Sequence, residues 1–271
     1  MKIIDTFLFY NELDLLKYRL TILDPYVDYF VLVESTHTFS GKQKPLFYKE
    51  NKHLFSEFAS KIVHIIVDDY PFQFEIRDDR CWKNETFHRN AIARGIAQLP
   101  LNAEDCIFTS DLDEICDPEI MKQLRQGSLQ YDPNNLNRCE LDMYYYNLNC
   151  RVVDGWYGLK LITFGTYKRL GLTFQDMRTW EWTHPVPIVP KAGWHLSYFG
   201  NAAHIANKIR HFSHQEFNFD RYTNEETIAR VIEEGGDILF RSDFKLQRVP
   251  VAENTHLPPQ YQTYLADYVK F

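Results

Sequence analysis

Four short apolar runs, each ending in a polar or acidic cluster and separated by helical patterning, constrain this chain more than any other feature. They are Ile3 to Phe9, Tyr29 to Val33, Ile62 to Val67 and Cys106 to Thr109. Short apolar runs bounded by polar residues read as buried strands. After the first, Asn11 stands where it can cap a helix carrying Leu13, Leu16, Leu20 and Leu23 at helical spacing, with Pro25 just past its end. A polar loop from Ser35 to Pro45 and a helical stretch near 51–58 lead to the third run. Helical periodicity from Glu85 to Leu99, through Phe87, Ile92 and Ile96, leads to the fourth. Strand alternating with helix predicts an α/β fold with a mostly parallel central sheet and right-handed crossovers. Ligands of such sheets sit beyond the carboxyl ends of the strands. Asn11-Glu12, Glu34-Ser35, Asp68-Asp69 and Asp111 to Glu114 all fall there.

The second half is less regular. Longer strands are expected over Arg138 to Cys150 and Tyr157 to Thr166, a Trp-, Pro- and Gly-rich loop from Phe174 to Gly193, and broken helix from Ile205 to Glu234. No repeat, low-complexity tract or linker interrupts the chain, so a single domain over 1–271 is expected. Apolar residues make up 45%, enough for a sizeable core, and the formal net charge is -7. An acidic surface argues against nucleic acid or an anionic membrane as the main partner, because both need a positive field. No run approaches the ~20 apolar residues of a transmembrane helix. The five cysteines, odd in number and without a CxxC pair, suit reduced thiols in the cytoplasm better than disulfides or a zinc site.

Asp111 and Asp113 flank one apolar residue where the fourth run ends. In extended backbone, residues two apart point to the same side, so both carboxylates would face one point. Mg²⁺ or Mn²⁺ accepts one or two carboxylates together with phosphate oxygens. A departing nucleoside diphosphate needs its charge neutralised, which such a clamp supplies. The rival reading is that Asp-x-Asp is a common pattern with no role of its own. Asp117-Pro118-Glu119 just beyond is a plain helix start, with Asp117 as cap.

Phe7 to Glu12, Val33-Glu34-Ser35 with Thr38 to Lys42 and Lys44-Pro45-Leu46, Arg89-Asn90-Ala91, Ser110 to Ile115 and Gly193 to Tyr198 follow in that order. Together, over residues 1–216, they resemble glycosyltransferase family 17, and the chain looks closest to its soluble bacterial or viral branch. The resemblance implies a GT-A (Rossmann-like) nucleotide-sugar-binding fold, with residues 1–115 binding the donor and 116–271 the acceptor. It further implies a UDP-sugar donor, with UDP-N-acetylglucosamine favoured, and inverting transfer to a hydroxyl of a glycan or glycoconjugate acceptor. Mn²⁺ (or Mg²⁺) would be the cofactor.

On that footing His195 completes the metal shell of Asp111 and Asp113, with His214 as its competitor; a core or capping histidine is the alternative. Asn11, Glu12 and Glu34 fall where uridine and ribose are held, and Asp69 where the uracil N3–H would be met. Arg89 and Asn90 could reach the donor sugar or phosphates, and Lys208 or Arg210 the diphosphate. The competing readings are turn or cap chemistry for Asn11 and Asp69, salt bridges for Glu34 and Arg89, and solvated charge for Lys208. An inverting transfer also needs a carboxylate base. Asp176 is the first candidate, followed by Glu216 and Glu181. Trp180, Trp182 and Trp194 are candidates to stack on acceptor rings. Two other classes compete: an Asp-x-Asp phosphohydrolase with Asp111 as nucleophile, whose motif normally follows the first strand, and a catalytically silent glycan-binding module, which would bind sugar without nucleotide.

Overall fold

The computed structural model describes residues 1–71 and 78–269, the side chains of residues 78–80 excepted. Among them, ten strands form one sheet: β1 (Ile3–Phe9), β2 (Tyr29–Ser35), β3 (Ile62–Val67), β4 (Cys106–Asp111), β5 (Glu114–Cys116), β6 (Asn137–Tyr145), β7 (Cys150–Val152), β8 (Lys160–Thr163), β9 (Ile188–Ser197) and β10 (Leu246–Arg248). The order is β10-β7-β6-β8-β4-β1-β2-β3, with β9 paired to both β5 and β6.

The four expected strands form a parallel block, β3-β2-β1-β4. The rest does not continue it. The pairs β4–β8, β8–β6, β6–β7, β7–β10 and β5–β9 are antiparallel, and only β6–β9 is parallel. The sheet is therefore mixed rather than mostly parallel. The four residues between β6 and β7 are too few for a crossover, so the chain must fold straight back.

Alternation along β1 sends Ile3, Phe7 and Phe9 to one face, where Leu16 and Leu20 of the helix Leu13–Leu23 join the same core. Ile4 and Leu8 belong to the opposite core, with Ile92 and Ile96. Both faces are covered, so each strand reads as a continuous apolar run.

Several expected elements are interrupted. The helical pattern over Glu85 to Leu99 breaks at Ala91 into the helices Asp78–Asn90 and Ile92–Ile96. The expected strand from Arg138 to Cys150 ends at Tyr145, because Tyr146 takes φ +71°. Tyr157 to Thr166 contains only β8; Thr163 then accepts from the Thr166 amide and starts the helix Phe164–Leu170. The expected loop from Phe174 to Gly193 holds the helix Phe174–Thr179, the turn Trp180–Trp182 and half of β9. Asp117 caps the helix Pro118–Gln126 as read from the sequence, its carboxylate accepting from the Glu119 amide at 2.8 Å. No helix among the described residues is long and apolar enough to cross a membrane.

Candidate active site

A cavity of about 960 Å³ opens at the carboxyl ends of β1 and β4. Tyr10, Phe39, Lys44 and Arg89 line it from the first half, and Arg178, Trp182, His195 and Lys208 from the second. Its described wall carries seven carboxylates against five Lys or Arg side chains. Among the described residues, nine buried side-chain polar atoms lack a hydrogen-bond partner, and five of them belong to wall residues: His88, Arg89, Gln175, Glu181 and His195. Buried polar groups are normally paired, so their concentration here marks a place where a ligand supplies the partners.

The floor is built by residues 111–114. Asp111 ends β4, Leu112 and Asp113 form a turn, and Glu114 opens β5. The extended backbone expected through Asp111 and Asp113 is thus absent, and the two carboxylates meet different partners. Asp111 Oδ1 accepts from Arg89 Nη1 at 2.8 Å and Oδ2 from Arg178 Nη2 at 3.0 Å. Asp113 Oδ2 accepts from Lys208 Nζ at 2.7 Å, and Oδ1 lies 3.5 Å from His195 Nε2. Burial alone would raise both pKa values, but the neighbouring cations hold both carboxyls below the usual range. Lys208 is pushed the other way: desolvation is outweighed by Asp113 and Glu12, so its pKa is raised.

Glu114, fully buried, ties the floor together. Its carboxylate accepts from both Arg178 terminal nitrogens at 2.7 and 2.8 Å, from Trp156 Nε1 at 2.6 Å and from the Asp111 amide at 2.9 Å. Desolvation opposes ionisation, yet Arg178 holds its pKa down to about 2. Gly158 makes room for this cluster, since a Cβ there would overlap the Glu114 carboxylate and the Arg178 guanidinium. Beneath lies Arg19, which pairs with Asp5 at 2.6 and 2.8 Å. It also donates to the carbonyls of Asp111, Leu112 and Glu114 and to Ser110 Oγ, at 2.9–3.0 Å. A rigid five-donor guanidinium suits such a role.

His195 arrives on β9, where it is registered against Glu114 of β5. The preceding Gly193 has φ +148°, and a Cβ there would overlap the Ile115 carbonyl. That close approach is the physical content of the Gly193-Trp194-His195 motif. Trp194 is core and does not line the cavity; its Nε1 donates to the His256 carbonyl at 2.9 Å. Among the described residues no three His, Cys, Asp or Glu side chains are gathered as a ready-made metal cage. The donor set still fits a hard divalent cation: two aspartates and an imidazole with Nδ1 unpartnered, in a wall whose carboxylates exceed its permanent cations by the charge of one such ion.

Of the other residues singled out, Glu12 lines the cavity 3.9 Å from Lys208 Nζ. Asn11 does not cap the helix Leu13–Leu23: Glu12 occupies the N-cap position, with no side-chain cap bond. Glu34 is fully buried away from the cavity, accepting from the amides of Tyr48 at 2.8 Å and Lys49 at 3.3 Å and contacting His64 Nε2 at 3.1 Å. Asp69 pairs with Arg94 at 2.8 Å on the surface. Asn90 accepts from the Gln175 amide at 2.9 Å. Arg210 donates to the Thr223 carbonyl at 2.9 Å. None of Glu34, Asp69, Asn90 or Arg210 is in the described wall. Asp176 is not there either, because it completes a capping box with Thr173 at the start of its helix. Glu216 does line the cavity, is more than half exposed, and holds His214 Nδ1 at 2.6 Å. Trp182 lines it at 77% exposure, whereas Trp180 stacks on His184.

Arg178 and Glu85 are wall residues that the sequence did not single out for the site, and Glu114 entered only as a member of the 111–114 cluster, with no role of its own. Glu114 had a signal, being the third acid of an Asp-x-Asp-Glu run. Arg178 had none, since it meets Asp111 and Glu114 from 64 or more positions away; Glu85 pairs locally with Arg89, four residues on in the same helix, but its contact with Ser213 leaves no trace in the sequence.

No curated protein sequence matches the chain. Similar solved structures include the inositol-1-phosphate CTP transferase from T. maritima, at 13% identity and a TM-score of 0.39, over 72% of this chain and 89% of that one. The glycosyltransferase GlyE of Streptococcus pneumoniae TIGR4 matches at 10% identity and a TM-score of 0.37, over 69% of this chain and 45% of that one. A glycosyltransferase involved in glycosylation of the major capsid of PBCV-1 matches at 9% and 0.33, over 71% and 83%. The family model for glycosyltransferase family 17 matches residues 1–242, and the chain belongs to that family of glycosyltransferases.

Proposed function

We propose that this protein is an inverting, metal-dependent glycosyltransferase of GT-A type, moving a sugar from a UDP-sugar to a carbohydrate hydroxyl. UDP-N-acetylglucosamine is the preferred donor in this reading. The observation that carries it is the floor of the cavity, where half-buried Asp111 and buried Asp113 and Glu114 face Arg89, Arg178 and Lys208 at the carboxyl end of β4. Asp111, Asp113 and His195 would hold Mn²⁺ or Mg²⁺, which neutralises charge on the pyrophosphate when bound. Arg89, Arg178 and Lys208 are placed to turn from these carboxylates to phosphate oxygens. The nucleoside would occupy the side lined by Tyr10, Phe39 and Lys44, and the acceptor the side lined by Trp182.

A phosphohydrolase fits less well, because its nucleophilic Asp-x-Asp motif normally follows the first strand, whereas Asp111 ends β4. The five buried cysteines suit a reducing, cytoplasmic setting. The test is release of UDP from UDP-N-acetylglucosamine with Mn²⁺, with and without EDTA. Activity should vanish in chelator and in Asp113→Ala; undiminished turnover in either removes the metal from the mechanism.

A further inference from the structure

The inverting reaction needs a base, and neither its position nor its identity follows from the motifs. Six of the seven wall carboxylates are committed or open to water. Asp111, Asp113 and Glu114 bind Arg89, Arg178, Lys208, His195 and Trp156, as described above. Glu85 divides its oxygens between Arg89 Nη2, at 2.6 Å, and Ser213 Oγ. Glu12 Oε2 accepts from the Asn11 amide at 3.1 Å, and its other oxygen faces Lys208. Glu216 projects into solvent beside His214.

Glu181 differs from all of these. Its side chain is 15% exposed; Oε1 accepts from the buried Lys160 Nζ at 2.9 Å, whereas Oε2 is enclosed and receives no hydrogen bond. It is the one carboxylate among the nine unpartnered buried polar groups of the described residues. An ionised oxygen shut away from water without a donor is costly, and a hydroxyl delivered by a ligand would relieve it. The position is also built. Lys160 sits on β8 in register with Thr109 of β4, two residues before Asp111. Arg178, three residues before Glu181, is clamped to Asp111 and Glu114, so the floor and Glu181 share one support. Trp182, next along the chain, offers an exposed indole face of the kind on which sugar rings stack.

We propose that Glu181 is the catalytic base and that it acts on a saccharide hydroxyl presented beside Trp182. This rests on the reading of the cavity as an inverting glycosyl-transfer site. Glu181 Oε2 takes the hydroxyl proton while the acceptor oxygen forms its bond to the anomeric carbon of the donor sugar. The bond from that carbon to the phosphate oxygen breaks, and its electron pair leaves with the nucleoside diphosphate. Glu181, now a neutral acid, returns the proton to solvent, so one glycoside, one UDP and one proton are formed.

The experiment measures UDP release from UDP-N-acetylglucosamine and Mn²⁺, with water and with methyl glycosides of glucose, galactose, mannose and N-acetylglucosamine as acceptors. Wild type is compared with Glu181→Gln, Glu181→Asp and Glu216→Gln, and Mn²⁺–UDP affinity is measured for each by calorimetry. Gln preserves shape and the Lys160 contact, so UDP affinity should stay at the wild-type value while kcat falls by about 10²–10⁴-fold. Asp, which keeps a carboxylate one methylene further back, should recover part of the rate. More than about a tenth of wild-type kcat in Glu181→Gln, with UDP still bound, overturns the assignment. So does an equal or larger loss in Glu216→Gln. If wild type binds UDP but turns over no acceptor or water, the glycosyl-transfer reading itself falls, and this assignment with it.

Discussion

Replacing Arg19 by Met removes the support under the catalytic floor and keeps most of the side-chain volume. Arg19 and Asp5 are both fully buried and joined by two hydrogen bonds, and three carbonyls of the 111–114 segment also depend on Arg19. Breaking one side of a buried pair leaves an uncompensated charge and costs about 3–5 kcal/mol. The orphaned carbonyls add to this, but not additively. For a chain of 271 residues that corresponds to a melting temperature lower by about 5–9 °C. The double variant Arg19→Met/Asp5→Leu removes both charges. Since an apolar pair of similar volume is often as stable as the ion pair, it should recover at least half of the loss. Its activity should stay low, because the carbonyls of Asp111, Leu112 and Glu114 still lack the donor that holds the turn. Thermal unfolding and UDP-release rates on the three proteins test this. A shift below about 3 °C in Arg19→Met would refute the energetic argument. Full activity in the stable double variant would refute the claim that Arg19 positions the floor.

Gly158→Ala should lower activity by at least about tenfold with little change in fold, since the added methyl displaces Glu114 and Arg178; steady-state kinetics beside circular dichroism checks it. Glu34→Gln should cost about 1–3 kcal/mol of stability, measured by urea unfolding, while leaving UDP affinity intact. A specific loss of UDP binding in the folded variant would instead restore Glu34 to the donor site. His256 bridges Asp117 Oδ2 at 3.3 Å and Asp142 Oδ2 at 2.7 Å, and these hydrogen bonds raise its pKa to about 9 from 6.5. Its contribution is therefore complete below pH 6.5 and lost as pH rises through 9. Melting temperature should fall across that window in wild type, and the fall should be shallower in His256→Gln.

Residues 1–115 were legible to a useful degree because their information is local. Strands covered on both faces show as apolar runs, and the polar clusters mark where those runs leave the core. Even there, Asp5 and Thr6 inside the first run gave no sign of their use: Asp5 balances Arg19, while Thr6 Oγ1 donates to the Phe108 carbonyl at 3.0 Å. Glu34 and Asp69 lie outside the described cavity wall for a related reason. A strand end can face the cavity, the interior or open solvent, and sequence spacing does not distinguish the three. Asp176 looked like a loop acid because the capping box that uses it lies in a helix of only six residues.

By itself the sequence determined the parallel β1–β4 block, the placement of Asp111 and Asp113 at its carboxyl edge, and the family. These follow from apolar periodicity and from motifs whose residues are near neighbours in the chain. Only the tertiary structure decided that β5 to β10 extend the block as a largely antiparallel sheet. It alone placed Arg178 on Asp111 and Glu114, Lys208 on Asp113, and Lys160 on Glu181. Those pairs join residues 21 to 95 positions apart. An electrostatic contact over such a separation depends on how whole elements pack, and it leaves no periodic trace in the order of the amino acids.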